Sequence, residues 1–293
     1  MVLNSLPPFI ERLVKYLIIP LNRCNFKLLN HRYVIYEKIG SGGMSEIFTG
    51  YDRDHPTCIG KFKPVAIKVL SPEFNKCNEA IYSFETEYLI GQQLSHQSIV
   101  KFFDFVSDGT NSFLVMERLV GETLNSIKNE NRNLFTFELR ISLLDKIING
   151  LAYIHSRSIA HGDLKPSNIF ICNDGTLKII DFGLSSGPNR RPPNTAYAFS
   201  AKFASPERIL GDAPSYRDDI YALGCITHII LTGNHPFGNI SSIEAQRSNL
   251  SPPKIFGVDE NTQIIIDKML SFDLINRPSN AVTLYSSFSC LFK

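Results

Sequence analysis

The apolar positions along the chain change their period near residue 117, and that change divides the sequence into two unlike halves. Before it, short runs rich in β-branched and aromatic residues predict strands over 33–39, 46–51, 65–70, 99–106 and 112–117. One amphipathic helix fits 78–94 among them. After it, apolar residues recur every three or four positions. The segment 136–155 places Leu139, Leu143, Leu144, Ile147, Ile148 and Leu151 on one stripe, and further helical stretches cover 215–231, 262–270 and 279–287. Two short strands, 169–172 and 177–180, flank Asn173-Asp174-Gly175, a hairpin turn of the Asp-Gly type. A loop rich in proline and arginine, 187–194, interrupts this half. The pattern predicts an α+β fold of two lobes. A small β-rich lobe with one main helix spans 33–117, and a larger helical lobe spans 118–293.

Residues 1–32 read as a separate extension. Phe9, Ile10, Leu13, Val14, Leu17 and Ile18 share one helical face, and Pro20 stops the pattern. The expected helix over 8–19 would dock on the chain's own small lobe. Its basic surroundings (Arg12, Lys15, Arg23, Lys27 and Arg32 against Glu11) make peripheral contact with an anionic membrane the alternative. With 293 residues, 43% of them hydrophobic, the chain can bury a sizeable core. Its 30 Lys+Arg against 28 Asp+Glu leave +2, too little for the field of a nucleic-acid binder, so no nucleic-acid partner is expected. Cys24, Cys58, Cys77, Cys172, Cys225 and Cys290 form no CxxC pair, which fits a reducing compartment rather than disulfides or zinc. No apolar run reaches membrane-spanning length, and Glu11, Arg12 and Lys15 break any signal-peptide core. The expected location is cytoplasmic.

Chemistry enters with four short motifs. Between the first two predicted strands lies Gly40-Ser41-Gly42-Gly43-Met44-Ser45-Glu46-Ile47, where glycine would let backbone amides approach phosphate oxygens. Alone, this is equally an ordinary glycine-rich hairpin turn. Val65-Ala66-Ile67-Lys68 follows on a strand, where a lysine either snorkels to solvent or needs an acidic partner. Glu87 and Glu85 compete for that role, and the spacing back from His96 favours Glu87. His161-Gly162-Asp163-Leu164-Lys165-Pro166-Ser167-Asn168 carries a D-x-x-x-x-N spacing, and Asp181-Phe182-Gly183 lies beyond the hairpin. A carboxylate for a hydroxyl proton, an amide, and a second carboxylate for a metal are what phosphoryl transfer requires.

In this order the motifs resemble the eukaryotic-like protein kinase family over residues 33–289, with a glycine loop similar to that of bacterial members. Ser205-Pro206-Glu207 resembles the family's A-P-E, Asp219 the aspartate opening its central helix, and Arg277 the arginine that clamps Glu207. The resemblance implies a two-lobed protein-kinase-like fold and Ser/Thr protein kinase activity with ATP and magnesium, manganese being an alternative ion. Gly40, Ser41, Gly42, Gly43 and Ser45 would cover the phosphates, and Lys68, positioned by Glu87, would hold them. Adenine would lie between Ile47 and Ala66 above and Phe170 below, with the backbone of Glu117 and Leu119 at its edge and Met116 at the rear. Asp163 and Lys165 would be catalytic, and Asn168 and Asp181 would hold the metal. Lys165 marks serine and threonine rather than tyrosine, so the implied partners are proteins with Ser/Thr acceptors, this chain among the candidates. Ser200 stands where a threonine hydroxyl usually closes onto the aspartate.

Two departures matter. Ser45 replaces the third glycine, and Gly162 replaces the arginine that in many kinases receives an activation-segment phosphate. Activity independent of phosphorylation at Ser185, Ser186, Thr195 or Tyr197 is therefore expected. Two other readings stand beside this one. His161-Gly162-Asp163 also resembles small-molecule kinases acting on aminoglycosides or choline, although Lys165, Glu207, Asp219 and Arg277 weigh against them. A nucleotide-binding scaffold without catalysis is the other, opposed by the filled catalytic positions. His155 and His228 are expected in the core or on the surface rather than on a metal.

Overall fold

The computed structural model describes residues 27–56, 62–107, 111–127, 135–188, 200–238 and 240–288. The apolar stripe at 8–19, and with it the predicted docking helix, lies outside them, as do Thr195 and Tyr197.

The small lobe is one antiparallel sheet of β1 (Lys27–Leu29), β2 (Tyr33–Ser41), β3 (Ser45–Pro56), β4 (Phe62–Leu70), β5 (Phe102–Ser107) and β6 (Ser112–Glu117) in the order β1-β2-β3-β4-β6-β5. The first strand falls inside the segment assigned to the extension. Leu29 is buried and pairs with Tyr33 across a turn in which Asn30 and His31 take left-handed φ values of 46° and 53°. Three residues are too few to show a period, so only the pairing reveals this strand. Alternation along β4 sends Val65 and Ile67 to a core with Tyr33, Ile35, Phe113 and Val115, and turns Ala66 and Lys68 to the opposite face. The helix α1 (Asn78–Gln92) buries Ala80, Phe84, Glu87 and Ile90.

In the large lobe, α2 (Phe137–Ser156) starts at Thr136, whose side chain accepts from the Leu139 amide. Its buried stripe is Leu143, Leu144, Ile147, Ile148, Leu151 and Ile154. Leu139, placed on that stripe by its spacing, is 43% exposed, because the first turn projects beyond the core. Three short strands, β7 (Gly121–Thr123), β8 (Ile169–Cys172) and β9 (Leu177–Ile179), form a second antiparallel sheet, with Gly175 at φ 80° turning the β8–β9 hairpin. After the short α3 (Pro206–Ile209), α4 (Tyr216–Thr232) opens on a capping box between Ser215 and Asp218. It is buried from Ile220 to Ile230, as befits the central helix of a lobe. The helices α5 (Ser242–Arg247), α6 (Glu260–Met269) and α7 (Ala281–Phe288) complete the lobe. One continuous core runs from Leu70 and Phe84 through Phe102 and Phe182 to Ile147, Ile220 and Leu284. The predicted two-lobed α+β architecture is the one observed, with the two lobes packed across a cleft.

Candidate active site

Lys68 faces the cleft from β4, and its Nζ donates to Glu87 Oε2 at 2.7 Å and to Asp181 Oδ1 at 3.1 Å. Of the two glutamates in competition, Glu87 is therefore the partner. Its side chain is 3% exposed, that of Lys68 15%, and that of Asp181 40%. Burial works against the charge on Lys68, but Asp181 and Glu87 together overcome it and raise its pKa. Burial pushes Glu87 up to about 7 in spite of Lys68. Burial is the largest single influence on Asp181 and raises it, but the charge and hydrogen bond of Lys68, with Lys165 and His161, together outweigh it and hold its carboxyl below the usual range.

Asp181 has a φ of 68°, an uncommon backbone state outside glycine that must be held by its surroundings. Phe182 supplies the hold from one side: it is fully buried, with ring centroids 5.0 Å from His161 and 6.3 Å from Phe102. Ser83 supplies it from the other, its hydroxyl donating to Gly183 O at 2.9 Å from α1. A serine within a helix carries no motif, and the sequence gives no signal for this latch.

The loop 161–168 hangs from α4. Asp219, buried, accepts from the His161 amide at 2.7 Å and the Gly162 amide at 2.9 Å. His155 joins it: Nδ1 accepts from the Ala281 amide at 2.9 Å, so Nε2 carries the proton toward Asp219 at 3.0 Å. This histidine is in the core, as expected, yet it anchors the loop. Gly162 has φ 79°, and a Cβ there would lie 2.4 Å from Leu184 O. The backbone itself demands glycine at this position. Asp163 Oδ2 accepts from Lys165 Nζ at 2.5 Å, and Asn168 Nδ2 donates to Asp163 O at 2.9 Å. Burial raises the pKa of Asp163, and Lys165 opposes the rise. Ser200 reaches Asp163 Oδ1 at 3.2 Å through its backbone amide, where a hydroxyl contact was expected. Of the two near acceptor candidates, Ser185 is fully buried and donates to His161 O at 2.8 Å, which removes it from reach.

On the roof of the cleft, the Gly42 amide closes the β2–β3 turn on Ser45 O at 2.7 Å. A Cβ at Gly43 would meet no atom within 4 Å, so internal packing does not explain glycine there. Ile47 pairs with Lys68 and Ala66 with Met116 in the sheet, while Phe170 lies below on β8. At the junction of the lobes, the Glu117 amide donates to Lys101 O at 2.9 Å, and Leu119 O accepts from the Arg118 guanidinium. Among the described residues no cluster of three or more His, Cys, Asp or Glu could hold a metal ion. The side-chain oxygens of Asn168 and Asp181 are donors of the hard-oxygen type that a magnesium ion accepts beside waters and phosphates.

A sequence profile of the protein kinase domain matches residues 33–289. The chain belongs to the protein kinase family. This kinase domain is 33% identical to the "Probable serine/threonine-protein kinase PknB" of Lactococcus lactis, over 86% of the chain and 40% of that protein. It is 29% identical to the "Serine/threonine-protein kinase PknL" of Mycobacterium tuberculosis, over 86% and 63%, and 30% identical to the "Serine/threonine-protein kinase PrkC" of Bacillus subtilis, over 76% and 34%. The likeness to bacterial, eukaryotic-like Ser/Thr kinases expected from the glycine loop is met, although the chain spans between about a third and just under two thirds of the length of these curated relatives. No helix among the described residues is long and apolar enough to cross a membrane.

Proposed function

We propose that this chain is a Ser/Thr protein kinase that moves the γ-phosphoryl group of ATP, with magnesium, onto serine or threonine hydroxyls of proteins. The observation that carries the reading is the position of Lys68 Nζ between Glu87 and Asp181 in the cleft that also receives Asp163, Lys165 and Asn168. Bound Mg·ATP supplies the phosphoryl group and the divalent charge that offsets its oxygens. The residues do the rest. Lys68, kept charged by two carboxylates, binds the α- and β-phosphates, and Asn168 and Asp181 would hold the metal. The glycine loop excludes water above. Glu117, its N–H already spent on Lys101 O, offers its carbonyl to the adenine edge, and Leu119, its carbonyl engaged by Arg118, offers its N–H.

Asp163 orients the acceptor hydroxyl and takes its proton. Its raised pKa makes it a better base than an exposed aspartate. Lys165 at 2.5 Å limits that rise and supports the transferring phosphoryl group. The names of the relatives and Lys165 both favour Ser/Thr over Tyr acceptors.

The test is phosphate transfer from Mg·ATP, followed by mass spectrometry, with a generic protein substrate, an aminoglycoside and choline in parallel. Phosphoserine or phosphothreonine on protein, including the kinase itself, is the expected result. Transfer to the small molecules alone would overturn the reading, as would nucleotide binding without transfer.

A further inference from the structure

Lys178 sits on β9 just ahead of Asp181, between the fully enclosed Leu177 and Ile179, and its own side chain is 10% exposed. A lysine so buried needs partners, and these are unusual in where they lie. Its Nζ donates to Glu117 Oε1 at 2.8 Å and to Ile99 O at 3.3 Å. The same Glu117 oxygen accepts from the Lys101 amide at 2.9 Å, while the Glu117 amide donates back to Lys101 O at 2.9 Å. The segment 98–101 is in turn stitched to β9, through Ile179 N to Ser98 O at 2.8 Å and Val100 N to Ile179 O at 3.1 Å. The end of β6, the chain entering β5 and the strand leading into Asp181 therefore form one closed hydrogen-bonded ring with Lys178 at its centre.

We propose that Lys178 is a positioning residue for the nucleotide: by gripping the Glu117 carboxylate from the large lobe, it fixes the Glu117 backbone carbonyl where the adenine edge meets the junction of the lobes. Both the side chain and the N–H of Glu117 are committed to this ring. Its carbonyl is then the polar group it can turn to a ligand, and the direction of that carbonyl is set by the ring. The same strut ties the junction to the strand leading into Asp181, and so fixes the separation of the adenine and metal sites. This inference rests on the reading of the cleft as an ATP site.

Lys178→Met should weaken Mg·ATP binding, measured by calorimetry, and raise the KM for ATP by about tenfold, with kcat changed by less than about twofold. A general loss of structure would instead lower kcat and the melting temperature together. Lys178→Arg, which keeps the charge and the donors, should restore affinity. Glu117→Leu, which removes the accepting oxygen and leaves the backbone carbonyl, should show the same loss, and the double variant should lose no more than either single one, because both remove one interaction. If Lys178→Met does not fold, Glu117→Leu carries the test by itself. Unchanged affinity in a folded Lys178→Met or Glu117→Leu chain would overturn the proposal. Absence of Mg·ATP binding by the wild-type chain would overturn the ATP-site reading first, and the proposal with it.

Discussion

Two buried ion pairs, Lys68–Glu87 and Arg277–Glu207, hold this molecule together at different places and in different ways. Arg277 is fully buried and forks onto Glu207 at 2.6 and 2.7 Å, and its remaining N–H groups reach Ser271 O, Arg217 O and Phe272 O. Every donor of the guanidinium has an acceptor. Burial would raise Glu207, but the bonds from Arg277 hold it below its ordinary range. Lys68 is the opposite case. One ammonium is divided between two carboxylates, one of them 40% exposed, and burial wins at Glu87, whose pKa rises to about 7. A saturated pair can only lose by exchanging partners. An unsaturated one can take a further acceptor, a phosphate oxygen on the proposed reading, and that contrast would separate architecture from chemistry in this fold.

Substitution should separate the two pairs cleanly. Lys68→Met should lower phosphate transfer by about 100-fold or more, while Glu87, able to take a proton near neutral pH, limits the loss of stability to about 1 kcal/mol. Glu207→Ala should do the reverse in origin, leaving Arg277 buried and uncompensated at a cost of about 3–5 kcal/mol, read as a fall in melting temperature. Equal melting temperatures for the two variants would break the comparison.

Gly162→Arg is the next largest effect. The left-handed backbone and the closeness of Leu184 O should cost about 1–3 kcal/mol and give no new dependence on phosphorylation. A stable Gly162→Arg chain that became phosphatase-sensitive would show that the glycine is only a missing switch.

Acid should distinguish the pairs as well, with a smaller effect. Glu87 titrates above its ordinary value of 4.5, so on acidification the folded form takes up this proton first, weakening its grip on Lys68 while favouring the fold. Glu207 titrates below 4.5, so its contribution to stability is complete above that value and fades only as pH falls through the lower folded one. Between about pH 7.5 and 6, transfer should decline severalfold while the melting temperature rises slightly. A rate that stayed level, or a parallel fall in melting temperature, would contradict the assignment.

The motif residues were legible because phosphoryl transfer constrains both residue type and spacing: Lys68, Asp163, Asn168 and Asp181 stand together as their order along the chain implied. Partners defined by tertiary contact were not. Lys178 reads as a surface lysine on an alternating strand, Ser83 as an ordinary helical serine and His155 as a core histidine, until the lobes bring Glu117, Gly183 and Asp219 to them. Leu139 shows the converse. Its spacing is correct for the α2 stripe, but periodicity does not say where the core ends. The strand Lys27–Leu29 had no period to read, and Gly162 looked like a lost arginine before its φ showed a backbone requirement.

The most direct measurement is transfer by Asp163→Asn. Asp163 meets Lys165, Asn168 and Ser200 but not Lys68, so its loss should leave nucleotide binding and the fold in place. Single-turnover phosphorylation from Mg·ATP, with binding and melting temperature measured on the same sample, should show transfer reduced by about 1000-fold and Mg·ATP affinity within about twofold of wild type. A folded Asp163→Asn chain that phosphorylates protein at the wild-type rate would contradict the account.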